Sequence, residues 1–335
     1  VKLHSFVRCF VVAVTLLQTM KSLTAQSADP LLNRLRSSAT ASALTREGVG
    51  PFYLKIDVQL YDAKGKPGEK GTIEDWWAGN DTEKTVFSLP SYSSTRVRKG
   101  DVVFSKAGAT YVPDVLKLLL NQVIDPLPAW TYGEGVQANL RPIKFGTVPL
   151  ECIVLNLKKD PKGVPVEYCL DPGKDSLRLT YQYENRMTIR NRLGTFQGKQ
   201  VPVDVTVRNG ELMGATGHIS SLMSRGIAES EISTDGLTDK TVLSTPVDVE
   251  LHAIKRNPPI YPEAAKRQHL SGLVVLQAMI GTDGHIHDLG LVSSPSPILT
   301  SAAEDAVKDW TYKPLEVDGV ATAGETTILV TFRFG

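Results

Sequence analysis

The 335-residue chain carries 37 lysines and arginines against 36 aspartates and glutamates, and a formal charge of +1 gives no electrostatic ground for a nucleic-acid partner. With 41% hydrophobic and 22% charged residues it has an ordinary globular make-up, and its length predicts two domains. Its 27 glycines and 20 prolines, set among short β-branched runs, favour β-rich structure over a helical bundle.

Residues 1–25 read as a secretory signal. Lys2, His4 and Arg8 precede an apolar run from Cys9 to Leu17, and small residues follow up to Ala25, the expected cleavage point. The alternative is an uncleaved inner-membrane anchor through residues 6–20. Against it, the apolar run is about ten residues where roughly 20 are needed to span a bilayer. Residues 26–46 are polar and small and are expected to be a flexible segment, with at most a short helix from Pro30 to Arg36.

From residue 47 to 229 the pattern is that of an antiparallel meander. Phe52–Tyr61 alternates apolar and polar positions, as a strand with one buried face does. Further strands are predicted at 70–77, 84–89, 92–98 and 101–105, with turn residues between them. Val112–Val123 is the first convincing helix, with Asp114 as its expected N-cap and Asp125-Pro-Leu-Pro128 ending it. Strands are expected to resume near Phe145 and to include 177–183, 187–192, 195–201 and 205–208.

Cys152 and Cys169 flank a strand, an Asp160-Pro-Lys-Gly163 turn and a second strand. In an oxidising compartment a disulfide across that hairpin is expected, closing about 16 residues and contributing roughly 3 kcal/mol. A metal pair or two free thiols are the alternatives; no histidine lies nearby to complete a zinc site. The predicted architecture is α+β: a twisted antiparallel sheet with one or two helices laid on it, a linker at 230–251, then a small second domain.

The progression from Pro51-Phe-Tyr-Leu-Lys through Gly71-Thr-Ile-Glu-Asp-Trp-Trp77 to Asp171-Pro-Gly-Lys-Asp-Ser-Leu177 resembles the outer-membrane lipoprotein carrier class of LolA- and LolB-like folds. The resemblance implies an incomplete barrel around a hydrophobic cavity. Trp76 and Trp77 are adjacent, so a strand sends them to opposite faces. One is expected in the core, and the other either lines a cavity or sits on the surface.

Residues 252–335 carry sharper signals. Tyr261-Pro262 leads into a short helix, Gly272–Ile280 is a strand, Gly281-Thr-Asp-Gly284 a hairpin turn, and Ile286–Ser294 its partner. Leu299–Trp310 is amphipathic, with Leu299, Ala302, Ala303, Ala306, Val307 and Trp310 on one face; Pro314 follows, and Glu325–Phe334 is the last strand. This order resembles the TonB C-terminal family. The resemblance implies a three-stranded antiparallel sheet with two helices, a place in the periplasm, and capture of an extended segment of a TonB-dependent outer-membrane transporter or other envelope protein. The strand that would receive it is Thr326, Thr327, Ile328, Leu329, Val330, Thr331 and Phe332, with Tyr261 and Pro262 nearby. An edge strand binds through its main chain, so Ile328, Val330 and Phe332 are expected to face the core and Tyr261 to pack as readily as to touch a partner. The same strand could pair with itself in a homodimer. A lipid or lipoprotein carrier working through the first domain is the alternative function.

No catalytic motif and no cofactor motif is present. Gly214-Ala-Thr-Gly217 lacks the Lys-Ser/Thr end of a phosphate loop. His285 and His287 share a strand face, but Asp288 points the other way, so a solvent-facing strand is expected and no metal site.

Overall fold

The computed structural model describes residues 29–45, 48–62, 64–79, 81–106, 111–133, 135–159, 163–242, 253–317 and 320–334. The signal segment 1–25, the turn residues 160–162 and the linker stretch 243–251 lie outside the described residues.

In chain order, α1 (Pro30–Ser42) is followed by β1 (Phe52–Tyr61), β2 (Pro67–Gly79), β3 (Thr82–Ser88), β4 (Ser93–Lys99), β5 (Val102–Ser105) and α2 (Asp114–Ile124). Then come β6 (Val136–Phe145), β7 (Val148–Leu157), β8 (Val166–Leu170), β9 (Leu177–Gln182), β10 (Arg186–Phe196), β11 (Lys199–Asn209), β12 (Leu212–Ser224) and β13 (Asp239–Val242). These 13 strands form one open antiparallel sheet in the order β13-β5-β4-β3-β2-β1-β12-β11-β10-β9-β8-β7-β6. Two meanders thus meet where β1 pairs with β12.

Both helices cover the same face. Leu116, Leu119, Leu120 and Val123 of α2 pack on Phe52, Leu54, Ile56, Val58 and Val207. Leu32, Leu35 and Ala39 of α1 pack on Ile153, Tyr168, Leu170 and Leu177. The stretch expected to be flexible is therefore a capped helix. Asp29 accepts the Leu31 N–H at 2.8 Å, Pro30 takes the first turn, and a weak apolar stripe is stabilised by burial.

Several expectations need correction. The N-cap of α2 is Pro113, not Asp114, whose carboxylate pairs instead with Arg186. Strand pairing resumes at Val136, not Phe145. Residues 195–201 are not one strand: they contain the turn between β10 and β11, with Gln197 and Gly198 both at positive φ. Part of the expected linker is ordered, because β13 pairs with β5.

The second unit comprises β14 (Ala253–Lys255), α3 (Glu263–Arg267), β15 (Gly272–Ile280), β16 (Ile286–Ser293), α4 (Pro297–Val307), β17 (Thr311–Tyr312), β18 (Leu315–Val317), β19 (Val320–Thr322) and β20 (Gly324–Phe332). Its main sheet has the order β16-β15-β20. Val274, Leu276, Ala278 and Ile280 point to one face, where they meet Ala265 of α3, Leu299, Ala303 and Val307 of α4, and Trp310. Trp310 lies just beyond the end of α4, and its indole N–H donates to the Asn257 carbonyl at 2.9 Å.

β15 is buried on its other face as well: Leu273, Val275, Gln277 and Met279 are also inaccessible. That face rests on the N-terminal end of α2. The Gln277 side chain donates to the Val112 carbonyl at 3.0 Å and to Glu325 Oε1 at 2.8 Å, and its oxygen accepts the Asp114 N–H at 2.7 Å. Lys117 of α2 pairs with Glu325 of β20, and the Ser293 hydroxyl donates to the Tyr183 carbonyl at 3.3 Å. Gly290 of β16 is a glycine of close approach: a Cβ there would lie 2.6 Å from the Tyr111 hydroxyl.

Candidate functional site: the outer strand of the small sheet

β20 owes its form to a Thr-Thr-Ile-Leu-Val-Thr-Phe run, in which β-branched residues favour extended backbone. All nine of its residues pair with β15, from Gly324 opposite Ile280 to Phe332 opposite Gly272. Ile328, Val330 and Phe332 point to the helices and are buried, while Glu325, Thr327, Leu329 and Thr331 are exposed, Leu329 by 54%. On the side away from β15, no strand follows among the described residues. Among the described residues, no hydrogen bond from another element reaches the main chain of 325–332 there.

The other predicted contact residues sit at the Phe332 end of this strand. The Tyr261 ring lies 5.8 Å from the Phe332 ring, and its hydroxyl donates to the Leu270 carbonyl, so Tyr261 packs and anchors as well as bordering the edge. Pro262 is the N-cap residue of α3, and its carbonyl accepts the Ala265 and Lys266 N–H groups, both at 3.0 Å. Phe334 stands half exposed beside His269, with ring centroids 4.5 Å apart.

The two adjacent tryptophans are separated as strand geometry requires. Trp77 is buried against Phe52, under the Arg98 guanidinium, and borders a cavity of about 450 Å³ between α2 and strands β2 to β5. Phe87, Val103, Leu120 and Ile124 supply further apolar wall, and Lys117 stands at its rim. Trp76 lies on the opposite face, against Tyr53 and Lys84, and does not border this cavity. Next to the wall is Asp75, fully buried, with Thr85 donating to one carboxylate oxygen at 2.9 Å and no partner for the other. Burial first, and then the charge of Glu83, push its carboxyl up to about 8. Sequence reasoning missed Asp75, and missed the Gln277–Glu325–Lys117 contact between units. A lone glutamine inside an apolar strand was the one available signal.

Cys152 and Cys169 face each other directly across β7 and β8 and form a disulfide, 17 residues apart in sequence. Glu167 lies beside them, but both sulfurs are spent in the bond and offer a metal nothing. His285 and His287 are exposed. Asp283 accepts the His285 backbone N–H at 3.0 Å and holds the His287 ring at 2.9 Å, and these bonds keep its carboxyl below the usual range.

Residues 257–334 match the family model described as Gram-negative bacterial TonB protein C-terminal. Two relatives named Protein TonB agree with this: one from Xanthomonas campestris pv. campestris, 32% identical over 85 residues, and one from Pseudomonas aeruginosa, 26% identical over 87. Each alignment takes in about a quarter of this chain, 25% and 26%, and spans only 38% and 25% of the relative. Among solved structures, the TonB C-terminal domain of Pseudomonas aeruginosa is similar over 26% of this chain and 90% of its own length, at 27% identity and TM-score 0.23. A LolA superfamily protein from Nitrosomonas europaea is similar over 61% of this chain and 99% of its own, at 12% identity and TM-score 0.40. The small α+β unit, carried behind a 13-stranded antiparallel sheet, is thus similar to the C-terminal domain of TonB proteins over residues 257–334.

Proposed function

We propose that this protein works in the periplasm as a TonB-like binding protein, docking an extended segment of an outer-membrane transporter or other envelope partner by strand addition to β20. The observation that carries the reading is the unpaired side of β20. An exposed edge is a liability that proteins ordinarily blunt, and the other edges of the two larger sheets, β13, β6 and β16, are blunted. β13 has four residues. β6 carries Pro142 in its second half, with Arg141 before it and Lys144 two residues on. β16 is offset by two register shifts and carries His287 and Asp288 near its start. β20 has no proline, no register shift, and one charged residue at its start.

Replacing Leu329 by proline in the full chain removes one N–H from the strand and bends its outer side. Peptides from the periplasmic extensions of transporters are expected to bind the wild-type chain and to lose at least about tenfold in affinity with Leu329→Pro, read by calorimetry. Equal binding by both proteins would refute strand addition at this edge.

A second reading, a lipid or lipoprotein carrier, is favoured by the apolar cavity at Trp77. Its test is quenching by brominated fatty acid in a chain whose other three tryptophans, Trp76, Trp130 and Trp310, are replaced by phenylalanine. A carrier requires the Trp77 emission to fall on titration, and an unchanged emission counts against it.

A further inference from the structure

We propose that the segment docked on β20 also places one bulky apolar side chain in the cavity beside Trp77, so that edge and cavity form a single composite site. This rests on the strand-addition reading and deepens it by naming the chemistry of the partner: an extended peptide with a large aromatic or aliphatic residue flanking its paired stretch.

The placement of the small sheet over α2 carries the argument. The sheet crosses the N-terminal end of that helix, with β15 held above Val112 and Asp114 by Gln277. On the β16 side the neighbour is Val115, which borders a separate cavity together with Leu291 and Val292. On the β20 side the neighbour is Lys117, two residues on and therefore about 200° round the helix. Lys117 reaches Glu325 of β20 and also stands at the rim of the cavity lined by Trp77, Leu120 and Ile124. One lysine side chain thus bridges the start of the receptor strand and the cavity mouth.

A strand added to β20 would lie about 4.8 Å further in the same direction, away from β15 and toward that mouth. Side chains alternate along it, so every second residue shares the side on which Glu325 and Leu329 stand, facing α2 rather than α4. A residue near the Glu325 end of the added strand is then over the cavity. The walls presented there are Trp77, Phe87, Leu120 and Ile124, and the volume of about 450 Å³ has room for a two-ring side chain. The rim charges nearby are already paired: Arg98 with Asp81 and Glu83, Lys117 with Glu325. The entering group is therefore apolar rather than ionic.

The test uses the full chain and three synthetic peptides with a common alternating threonine–valine core. One ends in serine at both ends, one carries 2-naphthylalanine at its N-terminus, and one carries it at its C-terminus. One naphthylalanine peptide is expected to bind at least about tenfold tighter than the serine peptide, with a blue-shifted naphthyl emission. Filling the cavity from two separate positions, by Ile124→Trp or by Thr45→Trp, is expected to abolish that advantage while serine-peptide binding persists. Equal affinity of all three peptides, or an advantage that survives both fillings, overturns the composite site and leaves strand addition standing. No binding by any peptide, matched by Leu329→Pro, overturns both. Acyl chains that co-purify in the cavity and resist displacement by the tight peptide would assign the cavity to lipid and overturn the composite site alone.

Discussion

Gln277 is the residue on which the two units turn. Its amide makes three hydrogen bonds at 2.7 to 3.0 Å: two to the Asp114 N–H and the Val112 carbonyl at the end of α2, and one to Glu325 of β20. A Gln277→Leu exchange keeps the bulk but orphans the Asp114 N–H and the Val112 carbonyl. It is expected to destabilise the chain by about 1–3 kcal/mol in urea unfolding, whereas the same exchange at exposed Gln137 of β6 should be near neutral.

Asp75 makes a prediction of opposite kind. Its folded carboxyl holds a proton up to about pH 8, while the unfolded chain releases it near 3.8. Its contribution to stability is therefore complete below the lower value and is lost as pH rises through the upper one. Between them the slope is at most about 1.4 kcal/mol per pH unit. Asp75→Asn should remove this slope: its melting temperature relative to wild type is expected to climb from pH 5 to pH 8.5. A difference that stays constant with pH would show that Asp75 ionises normally.

Among elements, the β7–β8 hairpin shows what a sequence can and cannot disclose. Cys152 and Cys169 were readable as a pair because strand, turn and strand lie between them, and the register sets them face to face. Replacing both by alanine is expected to lower stability by about 3 kcal/mol, measured by denaturant unfolding in non-reducing buffer. Legibility followed the strength of the local pattern. Gly272–Ile280 is legible with its observed bounds, because a nine-residue run with Gln277 as its single polar member ends in Gly-Thr-Asp-Gly. α1 was misread because Ser37-Ser-Ala-Thr-Ala-Ser-Ala43 has little helical preference of its own; its helix depends on Leu32 and Leu35 reaching Tyr168 and Leu177, far along the chain. β12 went unassigned because Gly214 and Gly217 interrupt its alternation. Gly217 is small where Ile56 and Leu119 press in, a tertiary fact with no local trace.

For the whole molecule, the arrangement of units matters more than either unit alone. Leu273, Val275, Met279 and Val292 form the second face of the small sheet and are buried. Residues 253–334 by themselves would bare that face, so the proposed docking is tested on the whole chain. The site residues Thr326 to Phe332 were legible as a strand, and Ile328, Val330 and Phe332 as its inward side. That the first unit seals the sheet from beneath was not legible, because it depends on contacts made across more than 150 residues of sequence.

The claim on which all of this depends is that β20 has one satisfied and one open side. In an edge strand of an antiparallel sheet, alternate N–H groups point to the neighbour and the rest point to solvent. Residue-resolved amide hydrogen exchange across Thr326–Phe332 in the full chain measures this directly. Slow and fast exchange are expected to alternate with period two, the fast amides becoming slow when a peptide docks. Uniform protection along the strand before any partner is added would contradict it.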